Sequence, residues 1–242
     1  MLLNIYHAVV YQPILNLLVF FYNFIPGNDL GIAIILLTIV IKVAFAPLFV
    51  KSIKSQRAIQ SLQPKIDELK EKYKDNKEKL GQAMMQLYKD EKINPLSSCL
   101  PLLVQLPFLF AVYSVFRAGL SNGSLDLLYS FMPNPGTLNP IAFGFLDLSE
   151  RSIVLAVLAG LAQFWQSKML LAKKPQQQKP GTQENFANAM TKQMTYMMPV
   201  VTVVIGISLP AGLTLYWLVI TLLGALQQLI IFKHMDKDKL SS

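Results

Sequence analysis

Long apolar stretches alternate with charged segments along the chain, and the first, residues 30–50, contains only two polar side chains, Thr38 and Lys42. A helix of this length rises about 30 Å, the thickness of the hydrocarbon core of a bilayer. Residues 194–232 carry no formal charge and are long enough for about two crossings. We therefore predict an all-α polytopic membrane protein with five transmembrane helices, at residues 30–50, 94–118, 151–172, 193–209 and 210–232.

The cation of the first apolar stretch is the most informative single residue. Placing an ammonium at mid-bilayer costs roughly 2.5–3.5 kcal/mol on insertion scales, so such a residue usually faces water or a partner. Thr38 lies four residues before Lys42 and shares its helix face. Two alternatives remain open. Lys42 could extend to the nearer interface and only anchor the helix, and Thr38 could bond to its own helix at the i−4 carbonyl.

Two segments are predicted to lie on the outer side of the membrane. Residues 1–29 are aromatic-rich with scattered polar positions, which favours a helix in the outer interface, although a sixth span is the alternative. This interpretation places Tyr6, Tyr11, Tyr22 and Phe24 at the headgroup level. Residues 119–150 contain no Lys or Arg and form the outer loop, within which residues 125–132 are a candidate short interfacial helix.

The segment 51–92 differs from its surroundings because it contains eleven basic and seven acidic residues. Its apolar positions are spaced by three and four residues, the pattern of a coiled-coil seam, and they are Ile59, Leu62, Ile66, Leu69 and Tyr73. We predict an antiparallel coiled-coil hairpin in the cytoplasm. It is either a solvated hairpin without a further role or a basic arm that meets incoming chains, targeting factors or a ribosome.

The distribution of charge predicts the topology. The net charge is +8, and 19 of the 22 Lys and Arg residues lie in three blocks, at residues 51–92, 168–192 and after 232. The positive-inside rule assigns these blocks to the cytoplasm, with the N-terminus outside and the C-terminus inside. Residues 173–192 are then a flexible cytoplasmic loop and residues 233–242 a cytoplasmic tail. The absence of an organelle transit pattern favours a bacterial plasma membrane.

The sequence lacks the usual motifs of enzymes. It has no phosphate-binding glycine loop, no HExxH and no CxxC, and its only cysteine and histidines are Cys99, His7 and His234. We therefore predict that the protein is not an enzyme, binds no cofactor or metal, and does not act on DNA.

Several ordered stretches resemble the YidC/Oxa family of membrane protein insertases. They are LGIAIILLTIVIKVAFAPL, the hairpin with QPKI and MMQLYK, the segment NPLSSCLPLLVQLP, and PAGLTLYW followed by QQ near the end. The likeness covers roughly residues 30–232 and is that of the short bacterial form without a large periplasmic domain. It implies five helices that enclose a hydrophilic groove, which is open to the cytoplasm and to lipid and closed towards the outside.

The resemblance also implies the groove residues. Lys42 matches the family's groove cation, which is most often Arg, and Thr38 matches a polar residue on the same face. Trp217 matches an aromatic residue that contacts substrate. The full set of candidate substrate-contact residues is Thr38, Lys42, Gln105, Gln163, Tyr216, Trp217 and Thr221. For Gln105 the alternative is a structural contact between helices, and for Tyr216 and Trp217 it is a core or lipid-facing position.

The implied activity is that of an insertase and chaperone for integral membrane proteins that works without nucleotide hydrolysis. Its partners would be nascent membrane proteins and the lipid bilayer. The hairpin and tail are candidate docking sites for a ribosome, for components of the signal recognition particle and for the Sec translocon. The alternatives are a channel or transporter with a buried cation, for which we find no inverted repeat, and a scaffold that only docks ribosomes.

Overall fold

The computed structural model describes residues 5–74, 76–94, 97, 100–119, 124–169 and 186–241, and most of these residues are helical. A π-helical turn, His7–Tyr11, leads into the first α-helix. The helices are α1 (Gln12–Phe24), α2 (Leu30–Ala44), α3 (Ala46–Ser61), α4 (Gln63–Lys72), α5 (Lys77–Asp90), α6 (Leu100–Gly119), α7 (Ile153–Met169), α8 (Phe186–Ser208) and α9 (Ala211–Ser241). Two short strands, β1 (Ile141–Ala142) and β2 (Leu146–Asp147), form an antiparallel hairpin that the all-α prediction did not include.

The first apolar stretch is not the single helix that its length predicted. Helix α2 ends at Ala44, and α3 continues at an angle of 69°. Pro47 explains the break, because in a continuous helix it could not donate to the Val43 carbonyl and its ring would clash with that carbonyl, whereas proline is well tolerated in the first turn of a new helix. Lys42 therefore lies in the last turn of a short helix rather than in the middle of a long one.

The N-terminal helix is part of the core. Helix α1 packs against α2, and its Leu15, Leu18 and Val19 are buried in the hydrophobic core. Tyr11 and Tyr22, which we predicted at the headgroup level, are only 5% and 4% exposed. The Tyr22 hydroxyl accepts a hydrogen bond from the Asn139 amide at 2.9 Å, so its polar end is satisfied by protein rather than by water.

Polar side chains of α1 hold the outer loop. The buried side chain of Asn16 donates to the carbonyls of Gln12 and Leu127 and accepts from the Tyr129 amide at 2.7 Å. These bonds satisfy a buried amide that would otherwise be costly. The predicted helix at residues 125–132 is instead a 3₁₀ turn, Ser124–Leu127, followed by irregular chain.

The end of the outer loop is joined to the turn between α8 and α9. The amides of Ala211 and Gly212 donate to the carbonyls of Glu150 and Leu148 at 2.7 and 3.0 Å. An isolated bridge also pairs Arg151 with Pro210. The outer loop therefore contacts both the N-terminal and the C-terminal parts of the chain.

Helices α7 and α8 approach each other closely because small residues face the contact. A Cβ atom on Gly160 would overlap Val203 Cγ2 and lie 3.1 Å from the Pro199 carbonyl oxygen. A Cβ atom on Gly206 would lie 3.0 Å from Ala156 Cβ. Glycine and alanine allow this distance, and in a membrane such close packing stabilises helix pairs.

The hairpin that we predicted in the cytoplasm is formed by α4 and α5. An ion pair between Lys65 and Glu91 joins the beginning of α4 to the end of α5, and its hydrogen bond raises the pKa of Lys65. Leu62 and Ile66 of the predicted seam are buried. Within the part of the chain that the structure describes, no side chain of α5 is buried, so a coiled coil over the whole segment stays a prediction.

Among the described residues, one helix, at Ala211–Met235, is by itself long and apolar enough to cross a membrane. The bent pair α2 and α3 would be a second crossing if its two helices form one broken span. Shorter apolar helices lie at Val104–Val115, Ile153–Met169 and Thr195–Ser208. The five spans remain a prediction.

The structure also bears on the predicted loop and tail. Helix α8 begins at Phe186, inside the predicted loop 173–192. Residues 173–185 of that loop lie outside the described residues. Cys99 also lies outside them. Helix α9 continues through the predicted tail as far as Ser241.

We expect Gly160→Ala to lower the apparent melting temperature of the purified protein. The added methyl group meets Val203 and the Pro199 carbonyl, and overpacking of this kind costs about 1–3 kcal/mol, or about 2–4 °C per kcal/mol for a chain of this size. Gly81→Ala in α5 is the matched control, because no atom lies within 4 Å of its added Cβ. Helix propensity should make that change neutral or stabilising. Equal shifts for the two variants would contradict the packing argument.

Candidate functional site

Lys42 is held at the bend between α2 and α3. Its Nζ atom lies 3.7 Å from the centroid of the Phe49 ring, which belongs to the first turn of α3. Phe49 is buried, whereas Lys42 is partly exposed. The bend brings the ring under the cation, because a straight helix would carry Phe49 two turns further along its axis. An aromatic face stabilises an ammonium, more strongly so where water is scarce.

Three helices meet at this ammonium. A Cβ atom placed on Gly224 of α9 would lie 3.4 Å from Lys42 Nζ and 2.7 Å from Gln166 Nε2 of α7. The two polar side chains therefore converge on the backbone of Gly224. Any larger residue at position 224 would have to displace Gln166, so glycine provides the space in which α2, α7 and α9 meet.

The electrostatics of the site are those of a cation with neutral neighbours. Of the ion pairs among the residues that the structure describes, Lys65–Glu91 and Asp67–Lys70, neither involves Lys42. The carbonyl end of α2 favours a cation in its last turn, and the Phe49 ring adds a further attraction. These dipoles stabilise the ammonium without neutralising it, so the site retains its attraction for an anion.

Thr38 is not part of this cluster in the structure. Its side chain is completely buried, and its hydroxyl donates to the Ile34 carbonyl at 2.6 Å. This is the i−4 bond that the sequence left open as an alternative. The shared helix face of Thr38 and Lys42 therefore does not produce a joint hydrogen-bonding site.

Gln105 and Tyr216 form a contact between helices. The Gln105 side chain in α6 donates from Nε2 to the Tyr216 hydroxyl in α9 at 2.8 Å. Tyr216 is completely buried. The pair joins two apolar helices through one satisfied hydrogen bond, which corresponds to the structural alternative for Gln105.

The remaining predicted residues are aligned with the site by helix periodicity. Trp217, Thr221 and Gly224 follow one another at intervals of four and three residues on α9, and Gln163 precedes Gln166 by three on α7. Thr221 is buried, whereas Gln163 and Trp217 are partly exposed. Their positions put them on the faces of α7 and α9 that carry Gln166 and Gly224.

Sequence reasoning missed several residues of the cluster. Phe49, Gln166 and Gly224 surround the ammonium, and only Gln166 had a usable signal, its i+3 spacing from Gln163. One turn beyond Gly224, Gln228 is buried and its Nε2 atom has no hydrogen-bond partner among the described residues, as is also true of Gln227 Oε1. Buried amide atoms without a partner among the described residues favour ordered water beside this part of α9.

Comparison with known proteins gives a consistent result. A family model described as "60Kd inner membrane protein" matches residues 20–238. Similar proteins include three named "Membrane protein insertase YidC". The one from Fusobacterium nucleatum subsp. nucleatum is 36% identical over 206 residues, covering 85% of this chain and 87% of that protein. Those from Geobacter sulfurreducens and Francisella tularensis subsp. novicida are 37% and 38% identical, covering 93% and 84% of this chain. The chain spans 37% and 32% of the length of these two relatives.

We expect Gly224→Ala to displace the Gln166 side chain, because the new methyl group would lie 2.7 Å from Gln166 Nε2. The amide is the end of a flexible side chain and can move, so its displacement should roughly cancel the gain of up to about 1 kcal/mol from the better helix propensity of alanine. A double-mutant cycle of melting temperatures tests this expectation. Gln166→Ala removes the obstructing amide, so Gly224→Ala should raise the melting temperature in that background and change it little in the native one. Equal effects in the two backgrounds would show that the contact is not with Gln166.

Proposed function

The chain belongs to the YidC/Oxa family of membrane protein insertases, and from this premise we propose that it inserts integral membrane proteins into a bacterial inner membrane and assists their folding. The proposal rests on one observation above all. The Lys42 ammonium, without a carboxylate partner among the described residues, lies where α2, α7 and α9 meet. A membrane protein keeps such a charge at a cost, and that cost favours a functional role.

The position of Lys42 along α2 suits a groove that reaches only part of the way through the membrane. Lys42 follows Leu30 by twelve residues, which is about 18 Å along a helix axis. With the outer end of α2 at the outer boundary of the hydrocarbon, about 12 Å remains to the inner boundary. We propose that a hydrophilic groove, open to the cytoplasm and to lipid, covers this inner part.

The groove would act on the segment of a substrate that must cross the membrane. A bare charge or an unpaired peptide group costs several kcal/mol in hydrocarbon. Water in the groove shortens the apolar path, and Lys42 attracts acidic residues of the crossing segment and holds them transiently. Gln163, Trp217 and Thr221, on the faces that carry Gln166 and Gly224, would contact the same segment.

Transfer of the apolar part of the substrate would drive the step. A substrate helix that leaves the groove beside α7 and α9 buries its side chains in lipid at a gain of about 25 cal/mol per Å² of apolar surface. Over a helix of about 20 residues this gain exceeds the cost of the short polar segment. Nucleotide hydrolysis is therefore not required.

Position 42 has lysine instead of the family's usual arginine, and this difference limits the geometry with which the site can bind a carboxylate. Lysine provides a compact charge with rotatable donors, whereas arginine provides a planar fork that binds carboxylates through two bonds. The proposed mechanism needs positive charge and nearby water rather than two-bond geometry. Arginine at position 42 should therefore support the same activity.

The cytoplasmic segments would bring substrates to the groove. The hairpin of α4 and α5 carries exposed charges of both signs within the net basic segment 51–92, and α9 extends beyond its apolar part into residues 233–241. We propose that these segments dock ribosomes, targeting factors or the Sec translocon. The topology that this requires has the N-terminus and residues 119–150 outside and the C-terminus in the cytoplasm.

We expect Lys42→Ala to reduce insertion of single-span substrates with an acidic outer segment by about five- to tenfold, because one partly solvated charge interaction is worth about 1 kcal/mol or slightly more. Lys42→Arg should retain activity, and Lys51→Ala, which removes an exposed lysine, is the matched control. Insertion into proteoliposomes is measured by protease protection. Substrates with a neutral outer segment should be affected less. Full activity of Lys42→Ala on acidic substrates would refute the electrostatic role.

We also expect photocrosslinkers at positions 42 and 217 to label a stalled nascent membrane protein. A crosslinker at position 85, on the exposed surface of α5, is the control, because labelling from there requires only that the ribosome and its nascent chain lie close to the hairpin. Labelling from 85 but not from 42 or 217 would favour a ribosome-docking scaffold. Ion or solute flux through the protein without any substrate chain would favour a channel.

A further inference from the structure

Four phenylalanine side chains at the outer end of the structure are exposed although aromatic rings are usually buried. Phe24 at the end of α1 and Phe131 in the outer loop are each 76% exposed, and Phe145 after the hairpin turn is 82% exposed. Phe143, within the same turn, is 39% exposed. We call these four residues the outer aromatic rim. None of them belongs to the groove around Lys42.

Hydrogen bonds hold the rim at the outer end of α2. The side chain of Asn23 donates to the Pro133 carbonyl at 2.8 Å, which brings the loop near Phe131 to the end of α1. The Phe143 amide donates to one carboxylate oxygen of Asp29, and the other oxygen accepts the Ile32 amide at the start of α2. The rim is therefore level with the residue at which the apolar helix begins.

The turn that carries Phe143 and Phe145 has an unusual composition. Phe143 and Gly144 both have positive φ, +55° and +78°, and the Phe145 amide bonds to the Ala142 carbonyl at 3.2 Å. Hairpin turns of this kind usually have Asn-Gly or Asp-Gly, because a bulky side chain is sterically unfavourable at positive φ. An aromatic residue at this place requires compensation that a turn surrounded by water would not provide.

The start of α2 accommodates the side chain of Phe143. Its ring lies close to Gly31, where a Cβ atom would be 2.9 Å from the ring. Together with the Asp29 carboxylate, this glycine accommodates the strained residue and fixes the direction of the turn. Phe145 is 82% exposed, and among the ring pairs described its partner is Phe143, whose tilted ring lies at a centroid distance of 6.4 Å.

We propose that the outer aromatic rim inserts into the outer leaflet of the bilayer, with the hairpin turn as a lipid-contacting tip. Aromatic side chains favour the boundary between headgroups and acyl chains, and the rim lies at the end of an apolar helix, where that boundary is expected. The end of the hairpin opposite the turn carries a charged side chain, which favours contact with water. Asp147 pairs there with Ile141, and hydrogen bonds from Ser149 lower the pKa of its carboxyl group, which therefore stays charged.

The test uses spin labels in reconstituted protein. In a Cys99→Ser background, single cysteines replace Phe24, Phe131 or Phe145, all exposed, and Thr137 in the outer loop is the polar control. The labelled proteins are placed in vesicles of phosphatidylethanolamine and phosphatidylglycerol. Collision rates with oxygen, which concentrates in lipid, and with a water-soluble nickel chelate are compared by electron paramagnetic resonance.

We expect a loss of nickel-chelate collisions and a gain of oxygen collisions at positions 24, 131 and 145 relative to position 137. The difference should disappear in mild denaturant that releases the loop, and it does not depend on insertase activity. Nickel accessibility at 145 equal to that at 137 would overturn the proposal. Dipolar broadening between labels at 145 would also overturn it, because it would identify a second copy of the chain as the partner of the tip.

Discussion

The Lys42 ammonium lies about 18 Å along an apolar helix from its outer end, and the need to stabilise this charge away from bulk water constrains the helices around it. Lys42 lies in the last turn of α2, where the helix dipole favours a cation, the Phe49 ring lies 3.7 Å from its ammonium, and Gln166 approaches from α7. Every one of these groups is neutral. The cation is therefore tolerated without being neutralised, which is the property an anion-attracting site in a membrane requires.

The bend after Ala44 makes it possible for the end of α2 and the Phe49 ring to lie close to Lys42. Proline at position 47 ends the apolar helix, so the negative end of the α2 dipole falls next to Lys42 rather than further along a longer helix. The same bend brings Phe49 to the charge, and the polar remainder of α3 continues into the hairpin of α4 and α5. One local feature of the backbone thus links the partly exposed cation to the segment proposed to receive substrates.

The two ends of the helical core are held together differently. At the outer end, the loop is bonded to α1 through Asn16, to the start of α2 through Asp29, and to the turn between α8 and α9 through the amides of Ala211 and Gly212. At the inner end, the helices meet around Gly224 and partly unsatisfied amides. A bonded loop at one end and buried amide atoms without described partners at the other would suit the proposed groove, because that groove lowers the barrier to polar segments only from the cytoplasm.

The sequence by itself determined the apolar segments, the alternating charged blocks and the single cation in the first apolar stretch, because hydropathy and charge are properties of consecutive residues. Together with the quoted motifs, these were sufficient for the family. Tertiary structure decided which faces meet. It paired Gln105 with Tyr216, gave Thr38 a bond within its own helix, and placed Phe49, Gln166 and Gly224 around Lys42. Helical spacing shows which side chains share a face, but the partner of that face depends on crossing angles, bends and small residues elsewhere in the chain.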